Sequence, residues 1–99
     1  MIEIKTTCKN RKEAENISKI LLKEKLAACV NYYPSESLFF WKGKIEKGKE
    51  FQIIVKTNER QKTKVIETIK KLNSYELPVI TWNEVNSTKD ANDWVNDSV

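Results

Sequence analysis

The chain contains no histidine, two cysteines and two glycines, and these counts bound the chemistry open to it. Without histidine it lacks the commonest general base near neutral pH and the commonest metal ligand. Gly43 and Gly48 are too few to build a Gly-rich phosphate cradle. Serines occur, but no partner base activates them. The carboxylate pairs Glu13/Glu15 and Asp90/Asp93 fall on polar positions of helical patterns, where solvated faces explain them without acid–base catalysis. No catalytic residue is assigned, and the expectation is a protein that is not an enzyme. Two thiols remain. Cys29, between Ala28 and Val30, opens an apolar run. It reads as a small buried hydrophobe or, alternatively, as a soft metal ligand. Cys8 precedes the first helical pattern and reads as a loop thiol, whose pKa a helix N-terminus would lower. Glu50 and Glu76 read as surface charges, and Trp41 and Trp94 as core or interface anchors.

The net charge of +4 does not point to nucleic acid. Of 18 basic residues, 16 are lysines, mostly alternating with glutamates as on a solvated helix face. One denser cluster, Lys42, Lys44, Lys47 and Lys49, surrounds Gly43. An RNA-binding sheet would need aromatic residues on its first and third strands. Lys49 and Ile54 stand where two of them belong, and the first strand has none. No run approaches the ~18 apolar residues of a membrane span. Met1–Lys5 reads as a strand and not as a signal peptide. Together with only two cysteines, this predicts a cytoplasmic protein in a reducing compartment. Length and composition predict a single domain over residues 1–99.

The elements that must position these residues follow one plan twice. Ile2-Glu3-Ile4-Lys5-Thr6 alternates as a half-buried strand. Asn10 with Glu13 makes a capping-box pattern ahead of a helix carrying Ala14, Ile17 and Leu21, its face widened by Ile20 and Leu22. Phe51–Val55 is a nearly all-apolar strand, and Asn58–Gln61 repeats the capping pattern. Val65, Ile66, Ile69 and Leu72 form a second apolar helical stripe. Residues 73–78 are a loop, Val79–Trp82 begins a last strand, and Ser87-Thr88 caps a short helix carrying Ala91, Trp94 and Val95. The order strand, helix, strand, strand, helix, strand plus tail helix predicts an α+β, ferredoxin-like split βαβ fold, an antiparallel sheet with both main helices on one face.

Between the halves lies a ribbon that this plan cannot cover. Ala27–Tyr33, Pro34-Ser35 and Leu38–Trp41 lead to a turn at Lys42-Gly43-Lys44. Extended at ~3.3 Å per residue, Ala27–Trp41 would span about 50 Å. The helix beside it covers about 21 Å. The ribbon must bend back or meet another chain, which predicts an oligomer. The strand order places Cys8 and Cys29 at opposite ends of the sheet, too far apart for a disulfide.

Taken together, Ala28-Cys29-Val30-Asn31 with Pro34, Trp41-x-Gly43-x-Ile45 with Glu50, Lys56-Thr57, Tyr75-Glu76-Leu77-Pro78 and the late Trp94 resemble the CutA divalent-cation tolerance proteins over essentially the whole chain. The resemblance implies a ferredoxin-like homotrimer, related in fold to PII signalling proteins, with a role in tolerance of copper and other divalent metals. It implies Cys29, Glu50 and Glu76 as metal contacts, with Cu(II) or another divalent cation as the ion. Lys56, Trp41 and Tyr75 would line a cleft between subunits. The alternative is a PII-like regulator binding a small anion or a partner protein there. The family commonly carries a histidine before the Tyr-Glu-x-Pro loop and a glutamate after its proline. Asn73 and Val79 stand there, leaving Cys29 as the one matching soft ligand.

Overall fold

The computed structural model describes residues Met1–Val99. Seven elements occur in the order β1 (Ile2–Cys8), α1 (Arg11–Lys23), β2 (Cys29–Trp41), β3 (Lys44–Thr57), α2 (Lys62–Leu72), β4 (Ile80–Glu84) and α3 (Lys89–Ser98). The sheet runs β2-β3-β1-β4 with every neighbouring pair antiparallel, the split βαβ arrangement. Alternation decides which face is covered. Ile2, Ile4, Thr6 and Cys8 are buried, while Glu3, Lys5 and Thr7 are not. The buried set meets Ile53 and Val55 of β3, Ala14, Ile17 and Leu21 of α1, and Val65 and Ile69 of α2 in one core.

Local chemistry sets the element ends. The Asn10 side chain accepts from the Glu13 amide at 2.9 Å and caps α1. Only half of the expected capping box forms, because the Glu13 carboxylate instead accepts from the Ser74 amide and hydroxyl at 3.0 and 2.7 Å. Glu13 is thus a half-buried tie and not a solvated charge. At the other end of α1, Lys25 takes a left-handed φ of 57°. The Leu26 and Lys25 amides donate to the Leu21 and Leu22 carbonyls, a Schellman closure. This turn delivers Leu26 and Ala27 to the core before β2 begins, so the strand starts at Cys29 and not at Ala27. Leu22, expected on the apolar face, is 44% exposed.

The ribbon is one strand where two runs are expected. Pro34 lies inside β2 without breaking it, because β2 is an edge strand and no neighbour needs the missing N–H. Its partner β3 starts at Lys44, seven residues before the expected Phe51. The two pair without interruption from Cys29↔Lys56 to Trp41↔Lys44. Lys42 and Gly43 close the hairpin with φ of 50° and 78°, the positive values a type I′ turn requires.

In the second half, Asn58 accepts from the Gln61 amide at 3.2 Å but caps the turn before α2, not the helix itself. α2 starts at Lys62, with Gln61 giving it no side-chain cap. β4 starts at Ile80, since the Val79 carbonyl is taken by the Thr6 hydroxyl at 2.8 Å. α3 follows its expected cap, Thr88 accepting from the Ala91 amide, and buries Val95. Cys8 is not a loop residue. It closes β1, fully buried, and burial, with Glu13 and Glu50 adding to it, pushes its thiol up to about 11 against a weaker opposing hydrogen bond to Asn10. No helix is long and apolar enough to cross a membrane.

Candidate functional site

β1 ends at Cys8, opposite Phe51, while β3 continues to Lys44 with only β2 beside it. Seven residues of each hairpin arm therefore project about 23 Å past the sheet. The loop between α2 and β4 packs against the base of this projection. Asn73 anchors it, its amide donating to the Thr7 carbonyl and its side-chain oxygen accepting from the Tyr75 N–H, both at 2.9 Å. Glu13 holds Ser74, and the Tyr75 hydroxyl donates to Glu50 Oε2 at 2.7 Å.

Between hairpin and loop lies a cleft of about 710 Å³, lined among others by Trp41, Lys47, Glu50, Tyr75, Glu76 and Leu77. Glu50 is its electrostatic centre. Burial acts to raise its pKa, but hydrogen bonds donated by the hydroxyls of Ser37, Tyr75 and Thr7 outweigh burial and hold it below the ordinary carboxylate value. Tyr75 responds in the opposite sense. Its burial and the bond to anionic Glu50 push the phenol well above its usual range.

The expected site residues therefore fall into two groups. Trp41, Glu50, Tyr75 and Glu76 share the cleft. Cys29 and Lys56 lie at the far end of the hairpin, opposite one another across β2 and β3. Glu50 faces Ser35, six residues along β2 from Cys29, which separates them by about 20 Å. Cys29 is half-exposed and not a core hydrophobe. Its thiol lies 3.8 Å from Asn31 Oδ1, to which Lys56 Nζ also donates at 3.4 Å. Nowhere in the chain do three His, Cys, Asp or Glu side chains group so that they could hold a metal ion. Cys29, Glu50 and Glu76 of one chain thus do not fit a resident divalent cation.

These positions match a known family. A model of the "CutA1 divalent ion tolerance protein" family matches residues 2–98. The chain belongs to the CutA1 family. It is 42% identical over 94 residues to the divalent-cation tolerance protein CutA of Archaeoglobus fulgidus, covering 94% of this chain and 92% of that one. To the Thermotoga maritima protein it is 35% identical over 100 residues, covering 100% and 99%. Among solved structures, the A. fulgidus protein, described as a periplasmic divalent cation tolerance protein, superposes with a TM-score of 0.95 at 40% identity, covering 99% and 98%. The PII-like protein CutA of Nostoc sp. PCC 7120, in its apo form, superposes at 0.93 with 29% identity, covering 99% and 96%.

Within this CutA1 chain, the substitution at the position before the Tyr-Glu-x-Pro loop has a physical meaning. Asn73 is 9% exposed and spends one end of its amide on the Thr7 carbonyl of β1 and the other on the Tyr75 N–H of the loop. It is an architectural residue that ties the loop to β1. Residue-level reasoning misses Asn31, Ser37, Thr7 and the Glu13–Ser74 tie. Two of these carry a usable signal, since Asn31 stands two residues from Cys29 and Thr7 continues the β1 alternation, so each must share a face with a candidate.

Proposed function

We propose that the chain is a non-enzymatic, homotrimeric divalent-cation tolerance protein, copper being the foremost ion, and that it meets the metal through weak contact at Cys29 and not through a resident centre. The observation that carries this reading is the hairpin, which leaves the sheet and exposes Leu38, Phe40 and Ile45 by 73, 78 and 69%. A soluble protein covers such a surface, and closed symmetry among copies does so without leaving an edge. Family membership supports the cation role. The absence of a three-donor group supports weak binding, since a strong tetrahedral site takes about four N or S ligands. Copper heads the Irving–Williams order and is the first ion to try. We place the protein in the cytoplasm, where Cys8 and Cys29 stay reduced.

Titration calorimetry with Cu(II), under conditions that exclude thiol oxidation, tests the metal contact. The expected result is binding in the micromolar range or weaker that falls sharply in Cys29→Ala while the assembly persists. Unchanged binding in Cys29→Ala would place the contact elsewhere.

A second reading has its own support. A relative of the same fold is described as PII-like, and the cleft offers apolar walls with Lys47 and Lys49 set among Glu46, Glu50 and Glu76, so a small ligand or partner segment there would have to pair with the lysines. Thermal-shift screening of metabolites alongside metals separates the readings, because a ligand bound only by the folded state raises its melting temperature.

A further inference from the structure

The loop between α2 and β4 is pinned at both ends and nearly free between them. At the front, the Asn73 amide donates to the Thr7 carbonyl at 2.9 Å, and Glu13 accepts from the Ser74 amide and hydroxyl. At the rear, the Thr6 hydroxyl donates to the Val79 carbonyl at 2.8 Å. Between these pins, Glu76, Leu77 and Pro78 make no hydrogen bond within the chain, and Leu77 is 66% exposed. The Tyr75 hydroxyl, donating to Glu50 Oε2 at 2.7 Å, gives the span its single hydrogen bond to the hairpin. The same span supplies the loop wall of the cleft, whose other wall holds Leu38, Phe40 and Trp41. A short span with fixed ends and one tie can open locally without unfolding the sheet.

We infer that residues 75–78 form a flap latched by the Tyr75–Glu50 bond, so that the loop wall of the cleft is set only while Glu50 is ionised. Glu50 is the part of the latch that changes state. The hydroxyls of Ser37, Tyr75 and Thr7 donate to its charged form, and protonation turns one of its acceptor positions into a donor. The charged side chains that share its two flanking hollows are Lys9 ahead of α1, Glu36 on β2, Glu46, Lys47 and Lys49 on β3, and Glu76 on the flap. Three lysines stand against three glutamates, so their charges offset and the latch answers chiefly to Glu50 itself. Glu13 of α1 is the other carboxylate on the loop, but it holds the front pin and not the flap. Cys8, buried beside them, stays a neutral thiol. The inference rests on the second reading only for the use of the cleft, since the latch is a property of the chain without a ligand.

Methyl-resolved NMR of the full, ligand-free chain tests it, with Leu77 reporting the flap, Val79 the rear pin, and Ile4, Ile53 and Val55 the core. Wild type, Tyr75→Phe, Glu50→Gln and Glu13→Gln are compared from pH 7 to pH 3. Losing a hydrogen bond to a charged group should raise the open population roughly tenfold or more. At pH 7, Tyr75→Phe should therefore move the Leu77 lines toward unstructured positions while the Val79 and core lines stay. In wild type the same movement should begin only below pH 4.5, because the hydroxyls hold Glu50 ionised down to there. That acid step should vanish in Glu50→Gln and persist in Glu13→Gln. Leu77 lines unmoved in Tyr75→Phe, or core lines moving as far as they do, would overturn the flap. An acid step that survives Glu50→Gln, or is lost in Glu13→Gln, would overturn Glu50 as its control. Failure to find any ligand for the cleft would remove the second reading and leave these lines as they are.

Discussion

Glu50 shows how one side chain can be held charged inside a structure that disfavours charge. Its burial alone would favour protonation, and the hydroxyls of Ser37, Tyr75 and Thr7 reverse the sign. The folded pKa lies below the ordinary 4.5, so the contribution of Glu50 to stability is present above that value and is lost as pH falls through the lower folded one. Tyr75 has the opposite linkage. Its folded pKa is raised above 10, so its contribution is full below pH 10 and is lost as pH rises. Urea unfolding followed from pH 7 to pH 3 should therefore show an acid limb that flattens in Glu50→Gln. At neutral pH, Tyr75→Phe should cost about 1.5 kcal/mol, the lower end for a hydrogen bond to a charged group because the pair is only half-buried. An acid limb unchanged in Glu50→Gln would remove Glu50 from this role. The two residues are 25 positions apart and no periodicity links them, so their pairing could not be read from sequence. Glu13 misleads for a related reason. Its capping-box spacing is genuine, but Ser74, brought close only by the fold, competes for the carboxylate with two donors.

Elements were more legible than contacts, because they depend on local pattern. The alternation of β1 and the stripes of α1 and α2 each survive in the structure, and the strand order follows from them. What pattern alone could not show was the unbroken length of β2 and β3. Pro34 and the polar Glu46–Glu50 stretch read as interruptions, and both are tolerated because this part of the hairpin has no sheet on its outer side. The hairpin closes on Lys42, a bulky residue at φ 50°, where asparagine ahead of glycine is the favoured pair. Lys42→Asn should stabilise the protein by about 0.5 kcal/mol, a fraction of the cost of left-handed backbone for an ordinary residue. Denaturant midpoints at an unchanged slope would measure it. A lower midpoint would mean that the Lys42 side chain, which lies 5.8 Å from the Trp41 ring, contributes more than its backbone costs.

At the scale of the whole molecule, the chain measures 45 × 25 × 21 Å, elongated by the hairpin. Leu38, Phe40 and Ile45 on the hairpin and Leu77 and Val79 on the loop are each more than 60% exposed. Burying five such side chains would supply about 8–15 kcal/mol at ~1.5–3 each. Association costs about 4–15 kcal/mol in lost freedom. The two are comparable before any backbone pairing along the exposed edges of β2 and β4 is added, which favours assembly. The exposed apolar side chains and open strand edges favour an oligomer, and the number three comes from the family resemblance. Light scattering on the size-fractionated protein at micromolar concentration tests it most directly. The account predicts one species of about three times the 11.6 kDa chain mass. A species with the mass of a single chain would contradict it.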